Sequence, residues 1–399
     1  MKACVIMTIK HRDVWVDYLR AAITVLVVAH HASLSYTTFA AFNAEAYVRS
    51  THPVVDERRW LGLDIFQNFN DIFFMSLMFM ISGFFVPGSL QRKGARGFIT
   101  DRIYRLFVPF VAGATVLAFV TYYPPFRLAH GTGSLTAFLQ DFFTTEAWPA
   151  GPVWFIWILL AFNLAYVPLS RVCGNALSLL GKRANVLGNK PVQAAVWLII
   201  ITWTAFTPLA YSAGAGTWTG WQPFDFQLSR IVLYFTWFLL GSCLGMGDFN
   251  KGLFAVSSRL VRNWKVWALL ALLTFGVIVL ISNFELLGKL VVEGKMNAFT
   301  GWMIYFAVFS ISCSLSSIAF MTAFRALASK RAAWWDNLVS HAYLIYLIHY
   351  SFVIWLQYLL VNANLPAFLK FLLVFSFSLS LSWFAASLLK KVPFIRKYM

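Results

Sequence analysis

The chain has 399 residues, of which 60% are hydrophobic and only 12% charged, with a mean hydropathy of +0.70. Soluble domains are about 45–50% apolar, so this balance excludes a soluble globular protein and reads as an all-α integral membrane protein. Its 32 Lys and Arg against 15 Asp and Glu leave a net charge of +17. That excess is read as membrane topology rather than nucleic-acid binding, because cations collect on the cytoplasmic side of membrane proteins.

Runs of about 20 apolar residues predict ten helices, near residues 17–40, 65–87, 104–123, 152–173, 192–212, 229–247, 264–283, 300–323, 339–361 and 366–389. Ten spans return both termini to one side. All the Lys and Arg except Arg49, Arg58, Arg59, Arg127, Arg230, Lys289, Lys295 and Lys370 fall on that side, so both ends are assigned to the cytoplasm. The first helix is preceded by Lys2, Lys10 and Arg12 and followed by Ala44-Glu45-Ala46, as a signal peptide would be. It is longer than a signal peptide's ~7–15-residue apolar core and carries two histidines, so it is expected to be retained. The longest connections, 41–64 and 124–151, lie on the opposite side with Trp60, Tyr122, Tyr123 and Trp148. Those aromatics are interfacial anchors or purchase for a polar substrate. The cytoplasmic loops are short, so a single membrane-embedded domain over residues 1–399 is expected, with no appended soluble domain and no internal repeat.

The first helix opens VDYLRAAITVLVVAHHASLSY. At ~100° per residue, Asp17, Arg20, Thr24, Val28, His31 and Ser35 form one seam, most of it polar, which hydrocarbon does not tolerate. Arg20 and His31 share that face about 16 Å apart along the axis. His30 and His31 are expected near mid-bilayer, and His349, in SHAYLIYLIHY of the ninth helix, at similar depth. A neutral imidazole there can take a proton from a hydroxyl; alternatively each is a core histidine bonded to a neighbouring helix. Face geometry favours His31 and leaves His30 to bond a neighbour.

The second helix ends FMISGFFVPG. Its Ser82-Gly83 permits close approach of another backbone or of a ligand chain; a nucleophilic Ser82 would lack the G-x-S-x-G elbow. The stretch QRKGARGFITDRIYRLFVP follows, with Arg92, Lys93, Arg96, Arg102 and Arg105. Such cations hold phosphates by charge-assisted bonds, or simply mark the cytoplasmic side and attract anionic lipid. The second reading is taken for Arg92, Lys93 and Arg96. Arg102 and Arg105 stand apart, three residues from each other at the start of the third helix with Pro109 beyond, and are expected to point into the protein or along the interface. In the fourth helix Asn163 and Tyr166 are the only interior polar groups, with Trp154 and Trp157 as interfacial anchors, and Arg230 is expected to pair with Asp225. No P-loop, no G-x-G-x-x-G after a strand, no HExxH and no DxD cluster is present, which excludes ATP-driven transport and obvious metal-dependent glycosyl transfer. The four cysteines, Cys4, Cys173, Cys243 and Cys313, form no CxxC and no zinc-ligand spacing with histidine, so no metal is expected.

VDYLRAAITVLVVAHH resembles the opening helix of the acyltransferase-3 family, integral membrane enzymes that acylate surface glycans, lipids and small molecules. Asp17, Arg20 and His31 fit that family's acid, arginine, ten-residue gap and histidine. FMISGFF (Phe79 to Phe85) resembles its second-helix Phe-Ser-Gly-Phe signature, DRIYRLFVP its Arg-x-x-Arg element through Arg102, Arg105 and Pro109, and SHAYLIYLIHY its Ser-Tyr-Leu-His element through Ser340, Tyr346, Leu347 and His349. One element departs: Trp154-Phe155-Ile156-Trp157-Ile158-Leu159 places leucine where many members carry a glutamate, as in the subgroup that includes glucan succinyltransferases. The resemblance implies a multi-pass plasma-membrane enzyme, in a bacterium the inner membrane, with acyl-coenzyme A as cytoplasmic donor. It would transfer an acetyl, succinyl or similar group to a hydroxyl of a glycan, lipid or small molecule, as in polysaccharide O-acetylation. It further implies His31 as general base supported by Asp17 and Arg20, donor contacts from Arg20, Arg102, Arg105 and Ser82, and a substrate cavity reached by His349, His30 and Tyr346. The alternative is a proton-coupled secondary transporter, which intramembrane histidines also suit, although the inverted repeats of such carriers are not visible here.

Overall fold

The protein, seen as a computed structural model, is described over residues 13–144, 148–149, 151–328 and 330–399; Cys4, Lys2, Lys10 and Arg12 lie outside these. The helices are α1 Val14–Leu34, α2 Leu61–Phe84, α3 Val86–His130, α4 Leu135–Thr144, α5 Trp154–Val186 and α6 Pro191–Ala213. They continue with α7 Ile231–Gly245, α8 Trp264–Asn283, α9 Ala298–Leu327, α10 Ala333–Leu360, α11 Ala367–Leu389 and the short α12 Pro393–Tyr398. Each of the ten predicted helices has a counterpart. Eight, α3 and α5 to α11, are long and apolar enough to cross a membrane, so the protein is an all-α, multi-pass membrane protein. The other two, α1 and α2, have 21 and 24 residues, about 31 and 36 Å, and carry the buried Asp17, His30, Asp64 and Asn70.

Helix ends differ from the apolar pattern: α5 runs on to Val186 and α10 begins at Ala333, and three other differences shape the site. The basic stretch after α2 is helical rather than a loop, two pieces meeting at Gly94, whose φ of 66° only glycine adopts readily. The predicted connection 124–151 contains the end of α3 and all of α4. Helix α1 stops at Leu34 instead of reaching residue 40, and the chain from 35 to 60 folds back over its end, burying Tyr36, Thr37, His52 and Asp56. There Lys370 of α11 meets Asp56 at 2.5 Å, both side chains 1% exposed. Among the described residues the sole sheet is one antiparallel pair, Trp218–Thr219 with Phe226–Gln227.

Helix α1 is central, packed against α2, α9, α10 and α11. Helix α2 packs closely on α7, because a Cβ at Gly83 would strike the Phe238 carbonyl and one at Gly241 the Met80 carbonyl; this is the small-residue contact by which helices approach in lipid. Prolines set the seam between α3 and α10. Pro109 has no N–H to give the carbonyl four residues back, so the Arg105 carbonyl accepts from the Tyr343 hydroxyl at 2.6 Å. Pro124 likewise releases the Val120 carbonyl, which accepts from Trp355 Nε1 at 2.8 Å.

Candidate active site

The face of the protein that holds the start of α1 and the end of the chain contains a cavity of about 640 Å³. Eight cations line it: Arg20, Arg92, Lys93, Arg102, Arg105, Lys390, Arg396 and Lys397. Among the described residues the sole acidic side chain in its wall is Asp101. Asp101 is gripped by Lys93 at 2.6 Å, Arg105 at 3.1 Å and Arg102 at 3.5 Å, so a single negative charge orients three positive ones and leaves the wall strongly cationic. Arg102 is held further by Asn163, whose Oδ1 accepts from its Nε at 3.0 Å, and by the Phe98 ring, 4.7 Å away. Arg105 falls in a π-helical turn, Ile103–Phe107, a form that recurs at functional sites. Ser82 and Tyr346 also border the cavity, together with apolar Met78, Leu106, Phe155 and Leu159. A wall of this kind suits a ligand with several phosphates at one end and an apolar arm at the other.

Asp17 is buried beneath Arg20, 3.5 Å from its Nη2. Arg20 faces the cavity, and one turn along, the hydroxyl of Thr24 bonds the Arg20 carbonyl. His31 lies about 16 Å further along α1, so Arg20 belongs to the cavity and not to the histidines. His31 is about 25 Å from the start of α1 and His349 about 24 Å from the start of α10. Their levels match, and the rings meet: His349 Nε2 is 3.1 Å from His31 Nδ1. Along the described helices, His31 lies three residues before the end of α1 and His349 near the middle of α10.

The carbonyl partners assign the protons. His349 Nδ1 is 2.7 Å from the Tyr346 carbonyl, and His31 Nδ1 is 2.9 Å from the Val27 carbonyl. Carbonyls only accept, so both Nδ1 atoms carry hydrogen. His349 Nε2 is therefore bare and shares the His31 Nδ1 hydrogen with Val27. That leaves His31 Nε2 with a free lone pair and no hydrogen bond among the described residues, on a ring that is partly exposed. His31 thus presents a bare ring nitrogen, and His349 contacts the opposite side of the same ring. One turn before His349, Tyr346 borders the large cavity, and the residue next to His349, Tyr350, borders a recess of about 20 Å³ with Thr121, Tyr122 and Ser351. Tyr346 also donates to the Pro152 carbonyl. The histidine pair is thus flanked by one tyrosine from each lining.

A match to a family model decides the class of chemistry: the acyltransferase domain of the acyltransferase-3 family fits residues 13–387. The chain belongs to the acyltransferase-3 family. It is an acyl-transferring membrane enzyme, and every motif that carried the resemblance lies within the matched residues. No curated protein and no solved structure matches this acyltransferase.

The acyltransferase brings Arg20, Ser82, Arg102, Arg105 and Tyr346 to one cavity and His31 with His349 to one contact. His30 is not part of either. It is buried against Phe74 of α2 with ring centroids 5.0 Å apart, and its Nδ1 has no partner among the described residues. Arg230 pairs with Asp71 at 2.7 Å and not with Asp225, because the start of α7 faces α2. Trp154 and Trp157, both partly buried, pack on Tyr234 and on Phe224 and Phe226. Arg92 and Lys93, taken as topological charges, line the cavity because the stretch after α2 is helical. Lys390, Arg396 and Lys397 do so because α12 folds back across the mouth, its Tyr398 stacked on Tyr104 at 4.9 Å. Asn163, the lone amide in the uncharged stretch from Trp154 to Tyr166, was the one local signal for the Arg102 contact.

Proposed function

We propose that this acyltransferase moves a short acyl group from acyl-coenzyme A, bound in the cationic cavity, to a hydroxyl of a glycan on the far side of the membrane. The observation that carries this reading is a phosphate-attracting cavity whose wall leads through Tyr346 to a histidine with a bare Nε2. Cations on the cavity face agree with a cytoplasmic donor, and a plasma membrane follows from that donor. The far face exposes Trp60, Trp218 and Trp221, flat apolar rings of the kind that stack on sugars.

In this scheme His31 Nε2 takes the proton of the acceptor hydroxyl as its oxygen attacks the thioester carbonyl. The new C–O bond forms, the C–S bond breaks, and the proton passes from His31 to the departing thiolate. The Val27 carbonyl and His349 Nε2 stabilise the charged imidazolium between those steps. Arg102 and Arg105 hold the nucleotide end of the donor, Arg20 and Ser82 border its path, and Asp17 keeps Arg20 in place. The test is transfer of label from radiolabelled acetyl-CoA to glycan and lipid fractions by membranes containing the protein. Transfer that falls about 10²–10⁴-fold in His31→Ala supports the scheme. Wild-type transfer by His31→Ala refutes the base, and solute uptake into sealed vesicles without acylation refutes the enzyme reading.

A further inference from the structure

Behind His31 lies a buried polar chain that the scheme above does not use: Gln357 on α10 and His52 in the connection between α1 and α2, each 1% exposed. Helix α1 ends among packed side chains, and the last carbonyls of a helix have no N–H within it. Away from water each needs a partner. Ser33 Oγ donates to the His30 carbonyl at 2.7 Å, the Tyr36 N–H to the Ser33 carbonyl at 3.0 Å, and Thr37 Oγ1 to the Leu34 carbonyl at 2.9 Å. The two that remain, His31 and Ala32, both accept from Gln357 Nε2 at 3.2 Å. Those carbonyls fix which way the amide points. Its NH₂ faces α1, and its Oε1 faces His52 Nε2 at 2.7 Å, so His52 Nε2 carries the hydrogen and donates it.

We propose that Gln357 is a positioning residue for His31, with its amide held in the working orientation by His52. The inference rests on His31 being the base. A frayed last turn would swing the His31 ring away from His349 and from the reacting hydroxyl, and misplacement by about 1 Å can cost a hundredfold in rate. Gln357 clamps the backbone of His31 itself, the shortest route by which one side chain can set the aim of another. Neither Gln357 nor His52 borders the donor cavity, so their effect falls on the chemical step and not on donor binding.

The experiment measures kcat and the KM for radiolabelled acetyl-CoA with purified enzyme and the native glycan and lipid fractions as acceptor. Gln357→Glu keeps the shape and replaces the donating NH₂ with an oxygen that repels both carbonyls. It is expected to lower kcat about tenfold to a hundredfold with donor KM unchanged. His52→Leu is expected to lower kcat in the same sense, and His52→Gln, which restores an N–H near the Nε2 position, to recover most of it. Donor KM at the wild-type value shows that each variant is folded. Wild-type kcat in Gln357→Glu overturns the proposal, as does a kcat loss in His52→Leu that His52→Gln fails to recover, or a donor KM that rises in step with the loss of kcat. His31→Ala run alongside separates the two levels: if it keeps wild-type kcat, the assignment of the base falls, whereas a dead His31→Ala with unaffected Gln357 and His52 variants removes only the positioning role.

Discussion

The division of labour between the two histidines gives the sharpest prediction. His31 Nδ1–H has two acceptors, the Val27 carbonyl at 2.9 Å and His349 Nε2 at 3.1 Å. His349→Leu removes the second and leaves the first. When His31 takes up a proton its ring is positive, and a hydrogen bond to a charged group contributes about 1.5–3 kcal/mol. Losing one raises the barrier by that amount, which at about 1.4 kcal/mol per tenfold is a 10–150-fold drop in kcat. His31→Ala removes the base outright and is expected to cost about 10²–10⁴-fold. His349→Gln can offer a carbonyl oxygen to Nδ1 and should fall between His349→Leu and wild type. The assay is the initial rate of label transfer at saturating acetyl-CoA. A His349→Leu enzyme as impaired as His31→Ala would make His349 the proton acceptor and reverse the assignment, and a wild-type rate would show the 3.1 Å contact to be idle.

Two further outcomes are expected. Arg102→Lys loses the planar fork that meets Asn163 and Asp101 and stacks on Phe98, so the KM for acyl-CoA should rise about tenfold or more with kcat little changed; an unchanged KM would take Arg102 out of the donor site. Burial pushes the His52 imidazole down from 6.5 to about 4. Between those values the unfolded chain binds more protons than the folded one, so the contribution of His52 is complete above pH 6.5 and is lost as pH falls towards 4. The thermal midpoint in detergent should therefore drop more from pH 7 to 4.5 in the wild type than in His52→Gln, and equal drops would contradict this.

Much of the site was legible because lipid penalises polar groups without a purpose. The seam Asp17, Arg20, Thr24 and His31 could only face protein, and the levels of His31 and His349 could be matched by counting residues. The grouping of Arg102 and Arg105 was legible too, although they lie well inside α3 rather than at its start, because the basic stretch before them is helical. What escaped local pattern was decided by distant partners. Nothing near Leu34 says that α1 should end there; the Gln357 amide that receives its carbonyls lies more than 300 residues away. Lys390, Arg396 and Lys397 have the composition of ordinary topological charge, and only the return of α12 over the cavity turns them inward. Arg230 found Asp71 rather than Asp225 because helix packing, not sequence separation, sets which charges meet.

The Lys370–Asp56 pair carries a consequence for how the enzyme is made. Its members are 314 residues apart, and the two histidines are 318 apart. A ribosome delivers α1 and the chain over its end early, and their buried partners on α10 and α11 almost last. Domains of this size assemble through partly packed intermediates, and here the polar residues of α1 and the Asp56 carboxylate must be sheltered until those helices arrive. A nascent chain can gather Lys93, Arg102 and Arg105 around Asp101 while it is still unable to form the histidine contact, which waits until nearly the whole polypeptide has entered the membrane.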